Sequence, residues 1–217
     1  MDQIVDFFQY LLNSEEIIRT GGLVLITLII LIECGVFFGF FLPGDYLLFL
    51  TGVFAGTGLL DVPLSLLMGC IFTAAVAGSL IGYGTGHFFG ARLQSKPDSL
   101  FFKKKNIETT RQYFDRYGSR TLVIARFLPI VRTFAPILAG LIHMNFRYFM
   151  LYNVVGAAIW VGSLVGGGYY FGEKFPGIIN YVHYIIIFFL GITTFTVIRG
   201  YLNARKELTE TRKPEEV

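Results

Sequence analysis

Three stretches without a charged side chain dominate this 217-residue chain: Val62–Ala91 (30 residues), Tyr148–Gly172 (25) and Phe175–Ile198 (24). About 20 helical residues cover the hydrocarbon core of a bilayer, so each run can span it with residues to spare for tilt. Inside lipid a segment has to satisfy its own backbone hydrogen bonds, and a helix does so without a partner strand. Charged residues make up only 15% of the chain and apolar ones 54%, against about 25% charged in a soluble domain. That composition excludes a soluble enzyme, a disordered tail and a nucleic-acid module. The chain reads as an all-α integral membrane protein of one domain.

Two further regions are apolar but interrupted. Gly21–Leu60 carries Glu33 and Asp45 and is broken by Gly35, Gly39 and Pro43-Gly44. Thr121–Phe146 carries Arg126, Arg132 and His143 and contains Pro129, Pro136 and Gly140 as candidate breaks. Proline removes a helical hydrogen bond and clashes with the preceding turn. Backbone freed at membrane depth survives only where protein or a water-filled cavity covers it. Both regions are therefore expected to be re-entrant helical hairpins.

The positive charge is concentrated in Arg92–Arg120, where eight Lys or Arg face Asp98, Glu108 and Asp115. The tail Arg199–Val217 adds five basic residues against four acidic ones. The positive-inside rule puts both on the cytoplasmic side, where the basic loop can also attract anionic headgroups. The first 20 residues hold Asp2, Asp6, Glu15 and Glu16 against only Arg19, unlike the basic start of a cleavable signal. They read as an interfacial segment on an undetermined side. Cys34 and Cys70 lie in apolar runs and read as packing residues. The resulting organisation is an interfacial segment at 1–20 and one membrane domain over 21–198. That domain comprises a first repeat at 21–91, the basic loop at 92–120, a second repeat at 121–175 and a last span at 175–198. A cytoplasmic tail at 199–217 completes the chain.

The halves resemble one another. Phe41-Leu42-Pro43 recurs as Phe127-Leu128-Pro129, offset by 86 positions, and Ala55-Gly56 as Ala139-Gly140, offset by 84. Gly78-Ser79-Leu80-Ile81-Gly82-Tyr83-Gly84 recurs as Gly162-Ser163-Leu164-Val165-Gly166-Gly167-Gly168, also offset by 84. Each half is then a hairpin followed by a glycine-rich span. One crossing separates the hairpins, so they enter from opposite faces. That is an inverted repeat, in which transporters hold their substrates near the midplane. Gly78, Gly82 and Gly86 share one helix face and suit close helix packing.

Glu33, Asp45, Arg126 and Arg132 are costly in this setting. Each ionised group at a bilayer centre costs roughly 2.5–3.5 kcal/mol on insertion scales. The acids lie in the first hairpin and the arginines in the second, so facing hairpins bring them together. A permanent ion-pair cluster is one outcome, but buried ion pairs are poor sources of net stability. The other is a polar midplane site in which Arg126 and Arg132 bind a phosphate while Glu33 and Asp45 exchange protons. The two arginines flank Pro129, where a broken helix frees N–H donors for an anion.

The second half reads Tyr113-Phe114-Asp115-Arg116-Tyr117-Gly118, then Arg126-Phe127-Leu128-Pro129-Ile130-Val131-Arg132, continuing through Pro136, Ala139-Gly140, Met144, Phe149, Asn153, Gly156 and Trp160. With Glu33 and Pro43-Gly44-Asp45, this resembles the DedA family of membrane proteins, also called the SNARE-associated or VTT family, over residues 20–175. Phe41 departs from the family's frequent Pro-x-Pro before the Gly-acid pair. The resemblance implies lipid translocation: return of undecaprenyl phosphate across the bacterial inner membrane, or movement of phosphatidylethanolamine or other phospholipids, with proton-motive force as the energy source. It also implies functional roles for Glu33, Asp45, Arg126 and Arg132, the four residues already singled out by cost.

The leading expectation is a proton-coupled flippase for a polyprenyl phosphate, with membrane lipids as partners, no cofactor, no nucleic acid and no metal. Uncoupled phospholipid scrambling is the nearest alternative. A proton-driven small-cation antiporter would use the two acids but leave the arginines idle. A lipid phosphatase is disfavoured, because His87, His143 and His183 are scattered in sequence and read as core or interfacial packing. A homo-oligomer is compatible with all of these.

Overall fold

The computed structural model describes residues 14–36, 44–94 and 120–181, with positions 184, 185, 187, 188 and 191 beyond them. Helix α1 spans Ser14–Gly35, kinked at Gly22, whose φ of 50° is one that a side-chain-free residue adopts without strain. Helices α2 (Gly44–Gly56) and α3 (Leu64–Gln94) follow. The short α4 (Thr121–Ala125) is separated by a three-residue turn from α5 (Pro129–Leu141). Helix α6 (Phe146–Val161) runs through a π-turn at Gly162–Gly166 into α7 (Gly167–Lys174). No strand occurs among the described residues.

Two helical stretches are long and apolar enough to cross a bilayer, Leu64–Phe88 and Phe146–Lys174, and only 33% and 39% of their apolar windows are buried. A core helix of a soluble protein would be mostly covered, so the uncovered apolar faces suit a lipid surrounding. On α1, Val24, Leu28 and Ile32 recur every four residues on one face and all stand exposed, an apolar stripe that water would penalise and lipid would not.

The expected breaks fall differently from the sequence reading. Pro129 occupies the first turn of α5, where a missing N–H costs nothing, and Leu128 caps it in an extended conformation. The interruption itself is the turn at Arg126–Leu128. Helix α5 then continues through Pro136 and Gly140 instead of breaking there. Both residues serve contact: the Pro136 ring lies against Gly82, and a Cβ on Gly140 would overlap the Tyr83 carbonyl. Of Pro43-Gly44, only Gly44 lies among the described residues, as the first residue of α2. The expected span Phe175–Ile198 does not begin as an α-helix. Phe175 leaves the helical region (φ −131°, ψ 73°) before Pro176, consistent with proline disfavouring a helical predecessor, and Pro176–Tyr181 is a 3-10 helix. The remainder of that span apart from the five positions named above, residues 95–119 of the basic loop and the tail lie outside the described residues.

Two glycine crossings organise the packing. Between α2 and α7, a Cβ on Gly52 or Gly56 would overlap the carbonyls of Val165 or Tyr169, and one on Gly168 or Gly172 those of Phe49 or Val53. Between α3 and α5, Gly86 meets the Ile137 carbonyl and Gly140 that of Tyr83. The crossings correspond at 84 positions for the hairpin arm (Gly56 and Gly140) but at 86 for the span (Gly86 and Gly172). The second span also holds the π-turn at Gly162–Gly166, inside the letter match at offset 84 and before the Gly172 contact.

The apolar interior forms two clusters. One gathers α1, α2, the first half of α3 and the α6–α7 junction around Ile30, Leu48, Ile71, Trp160 and Val165. The other gathers the second half of α3 with α4, α5 and the start of α6 around Tyr83, Leu122, Ala139 and Phe149.

Candidate functional site

Polar groups collect at mid-depth of the two spans. Ser79 is the midpoint of α3, and Trp160 the midpoint of Phe146–Lys174. At 1.5 Å per residue each lies about 22 Å from either end of its helix. Here the structure brings together Glu33, Asp45 and Arg132, as the hairpin argument expects. Arg132, in the second turn of α5, donates Nη2–H to Glu33 Oε1 and Nη1–H to Asp45 Oδ1 at 2.5 Å. Glu33 is fully buried, while the Asp45 side chain keeps 18% of its surface exposed.

Local structure fixes each acid. Glu33 lies in the last turn of α1, and its Oε1 also accepts the Gly44 N–H at 3.3 Å. A Cβ at Gly44 would fall on the Glu33 carboxylate, so close approach, besides any helix break, requires glycine there. Asp45 sits in the first turn of α2, where the helix dipole favours a negative charge. Its Oδ1 accepts a second bond from Trp160 Nε1–H at 3.0 Å.

Arg126 is not part of that cluster. It forms the C-cap of α4 and is 6% exposed. Its Nη2 donates to Ser79 Oγ at 2.9 Å and to Asn153 Oδ1 at 2.5 Å, both neutral acceptors. Asn153 in turn donates Nδ2–H to the Val76 carbonyl at 3.2 Å, which orients its oxygen toward the guanidinium. Among the described residues Arg126 Nη1 has no hydrogen-bond partner, nor do Glu33 Oε2 and Arg132 Nε. A cavity of about 10 Å³ lies between the arginines, lined by Ser79, Arg126, Arg132, Pro136, Phe149 and Asn153 among others; that is room for about one water molecule.

The indole of Trp160 joins the two arginines. Its ring centroid is 4.9 Å from Arg132 Cζ and 5.9 Å from Arg126 Cζ, within cation–π range of both. Sequence reasoning missed Ser79, Asn153 and Trp160 as site residues. Two signals pointed to them: Asn153 is the one amide side chain in the run Tyr148–Gly172, and Trp160 is the one tryptophan in the chain. Cys34 is buried beside this region and Cys70 half-buried, and both are free thiols.

The arrangement can do two separable things. The trio of Glu33, Asp45 and Arg132 balances two negative charges against one positive, so taking up one proton neutralises it. Among the described residues Arg126 pairs with no carboxylate, keeps Nη1 unused and lines a cavity, which suits an anion.

Comparison with known proteins reinforces the membrane reading. Residues 25–170 match the model of the VTT domain. The chain is 36% identical to Protein DedA of Escherichia coli K12 over 173 residues, covering 78% of this chain and 79% of that protein. It is 34% identical to an uncharacterized membrane protein of Mycobacterium tuberculosis over 164 residues, 76% of this chain and 72% of the relative. The inner membrane protein YqjA of E. coli K12 is 31% identical over 175 residues, 80% of this chain and 77% of that protein. No solved structure matches.

Proposed function

Because the chain belongs to the VTT-domain (DedA) family of membrane proteins, we propose that it is a proton-coupled flippase for a lipid phosphate, with undecaprenyl phosphate in the bacterial inner membrane as the leading substrate. The observation that carries this reading is the division between the two arginines. Arg132 is held by both carboxylates, whereas Arg126 is buried on neutral partners with Nη1 unused. An arriving phosphate meets Arg126 first. Protonation of Glu33 or Asp45 then loosens Arg132, which turns its guanidinium to the phosphate and makes the two-arginine clamp. Deprotonation returns Arg132 to the acids and releases the anion. The lipid tail stays outside, against the exposed apolar faces.

The paired glycine crossings support an inverted repeat of two re-entrant hairpins, each followed by a spanning helix. Rocking of one half against the other would expose the site alternately to the two sides, with the basic loop and tail cytoplasmic. An antiporter reading gains nothing from this geometry, because Arg132 occupies both acids that a small cation would need. The reading assigns the chain no enzymatic step.

The test is transport of a labelled polyprenyl phosphate in proteoliposomes, with phosphatidylethanolamine as comparator and with or without an imposed pH gradient. Losing charged hydrogen bonds worth about 1.5–3 kcal/mol lowers transport by roughly 10- to 100-fold in Arg126→Gln. Undiminished transport in Arg126→Gln, or no response to the gradient, overturns the proposal.

A further inference from the structure

A second cluster of chemistry-bearing side chains stands away from the arginines, where the end of α3 meets the corner between α5 and α6. His87 Nδ1 and His143 Nδ1 approach to 3.0 Å, with the rings edge-to-face at a centroid distance of 4.6 Å. Both residues are exposed. Two of the histidines scattered in sequence are thus brought together in space, contrary to their reading as separate packing residues; His183 lies outside the described residues.

The backbone that presents His143 is unusual. Helix α5 ends in a Schellman cap: Met144 N–H donates to the Ala139 carbonyl and His143 N–H to that of Gly140, both at 3.0 Å. The residue after such a cap is left-handed and is ordinarily glycine. Here it is His143, at φ 53°, the one non-glycine residue with positive φ among the described residues. A side chain in that conformation costs energy that glycine would not, and what it provides is an imidazole aimed at His87. The opposing ring is also fixed. Tyr83, one turn before His87, stacks on it at 6.0 Å with the planes 13° apart, and donates its hydroxyl to the Met144 carbonyl at 2.7 Å.

We propose that His87 and His143 form a binding site for a divalent transition-metal ion of the Zn²⁺ class. Imidazole suits Zn²⁺, Ni²⁺ and Cu²⁺, whereas Mg²⁺ prefers oxygen ligands. Zinc–nitrogen bonds of 2.0–2.1 Å at a tetrahedral angle set the two nitrogens about 3.3 Å apart, so the pair needs to open by only a few tenths of an ångström. Exposure leaves the remaining positions open to water or a further ligand. A bound ion would staple α3 to the α5–α6 corner, across the same α3–α5 crossing that Gly86 and Gly140 build.

The experiment uses the untagged full chain in detergent, stripped with EDTA and titrated calorimetrically with ZnCl₂, with MgCl₂ as control. Saturable binding of one Zn²⁺ per chain, and no Mg²⁺ binding, is expected for a two-imidazole site. His143→Gly installs the residue the cap prefers, so it keeps the fold. It and His87→Gln should each weaken binding by more than the roughly tenfold typical of losing an outer-shell partner. Zn²⁺ should raise the melting temperature of the wild type but not of His143→Gly. Equal Zn²⁺ affinity in the wild type and His143→Gly, or no wild-type binding at millimolar Zn²⁺, overturns the proposal and leaves a hydrogen-bonded histidine pair. These readouts are independent of lipid transport.

Discussion

Removing the charge of Arg132 tests how the buried trio is held. In Arg132→Met both carboxylates lose their partner at once, one of them fully buried. Breaking a buried pair from one side costs about 3–5 kcal/mol, and the upper end is expected here. Glu33→Gln is milder, about 2–3 kcal/mol, because Arg132 keeps Asp45 and an amide oxygen can still accept the Gly44 N–H. Asp45→Asn is the mildest, about 1 kcal/mol, since that side chain is partly exposed and its amide oxygen still accepts from Trp160. The triple variant Arg132→Met/Glu33→Gln/Asp45→Asn buries no uncompensated charge in the trio. Its cost should be at most about half the sum of the singles, because neighbours sharing one network do not add. Equilibrium unfolding in mixed micelles at neutral pH measures all four. If the triple variant costs the sum of the singles to within about 0.5 kcal/mol, the residues act independently and the account of the trio fails.

The crossings and the indole give two further expectations. Gly140→Ala should destabilise by about 1–3 kcal/mol, because its Cβ meets the Tyr83 backbone rather than a side chain that can turn away; Gly84→Ala, with open space at its Cβ, should be neutral or stabilising by up to about 1 kcal/mol. Equal melting temperatures for the two variants would refute the close-crossing account. Trp160→Phe keeps an aromatic face beside Arg132 but loses the N–H to Asp45, and should cost about 1.5–3 kcal/mol; Trp160→Leu loses the cation–π contact as well and should unfold more easily still.

Much of the site was legible before any coordinates. Glu33, Asp45, Arg126 and Arg132 announce themselves because ionised groups are expensive in an apolar run, and their placement in two hairpins predicts that they meet. The roles of Arg126 and Arg132 were not separable, since the letters give both the same charge and similar apolar surroundings. Ser79 and Asn153 escaped notice because a hydroxyl or amide in a helix can satisfy itself on its own backbone, as Thr51 does on the Leu47 carbonyl. Ser79 does so on the Ala75 carbonyl, and nothing local shows that its oxygen and that of Asn153 also serve a guanidinium 47 and 27 positions away. Pro136 was misread for a related reason. A proline's consequence depends on whether it opens a helix after a break, as at Pro129, or packs within one, as at Pro136.

By itself the sequence determined that the chain is a helical membrane protein and which four charges are costly there, because transfer into lipid is priced residue by residue and needs no knowledge of neighbours. Only the tertiary structure decided which arginine the acids hold, where the glycine crossings fall and that His87 meets His143. Those facts belong to pairs of distant residues. They follow from where backbones approach closely enough to exclude a side chain, and composition and spacing carry no record of that approach.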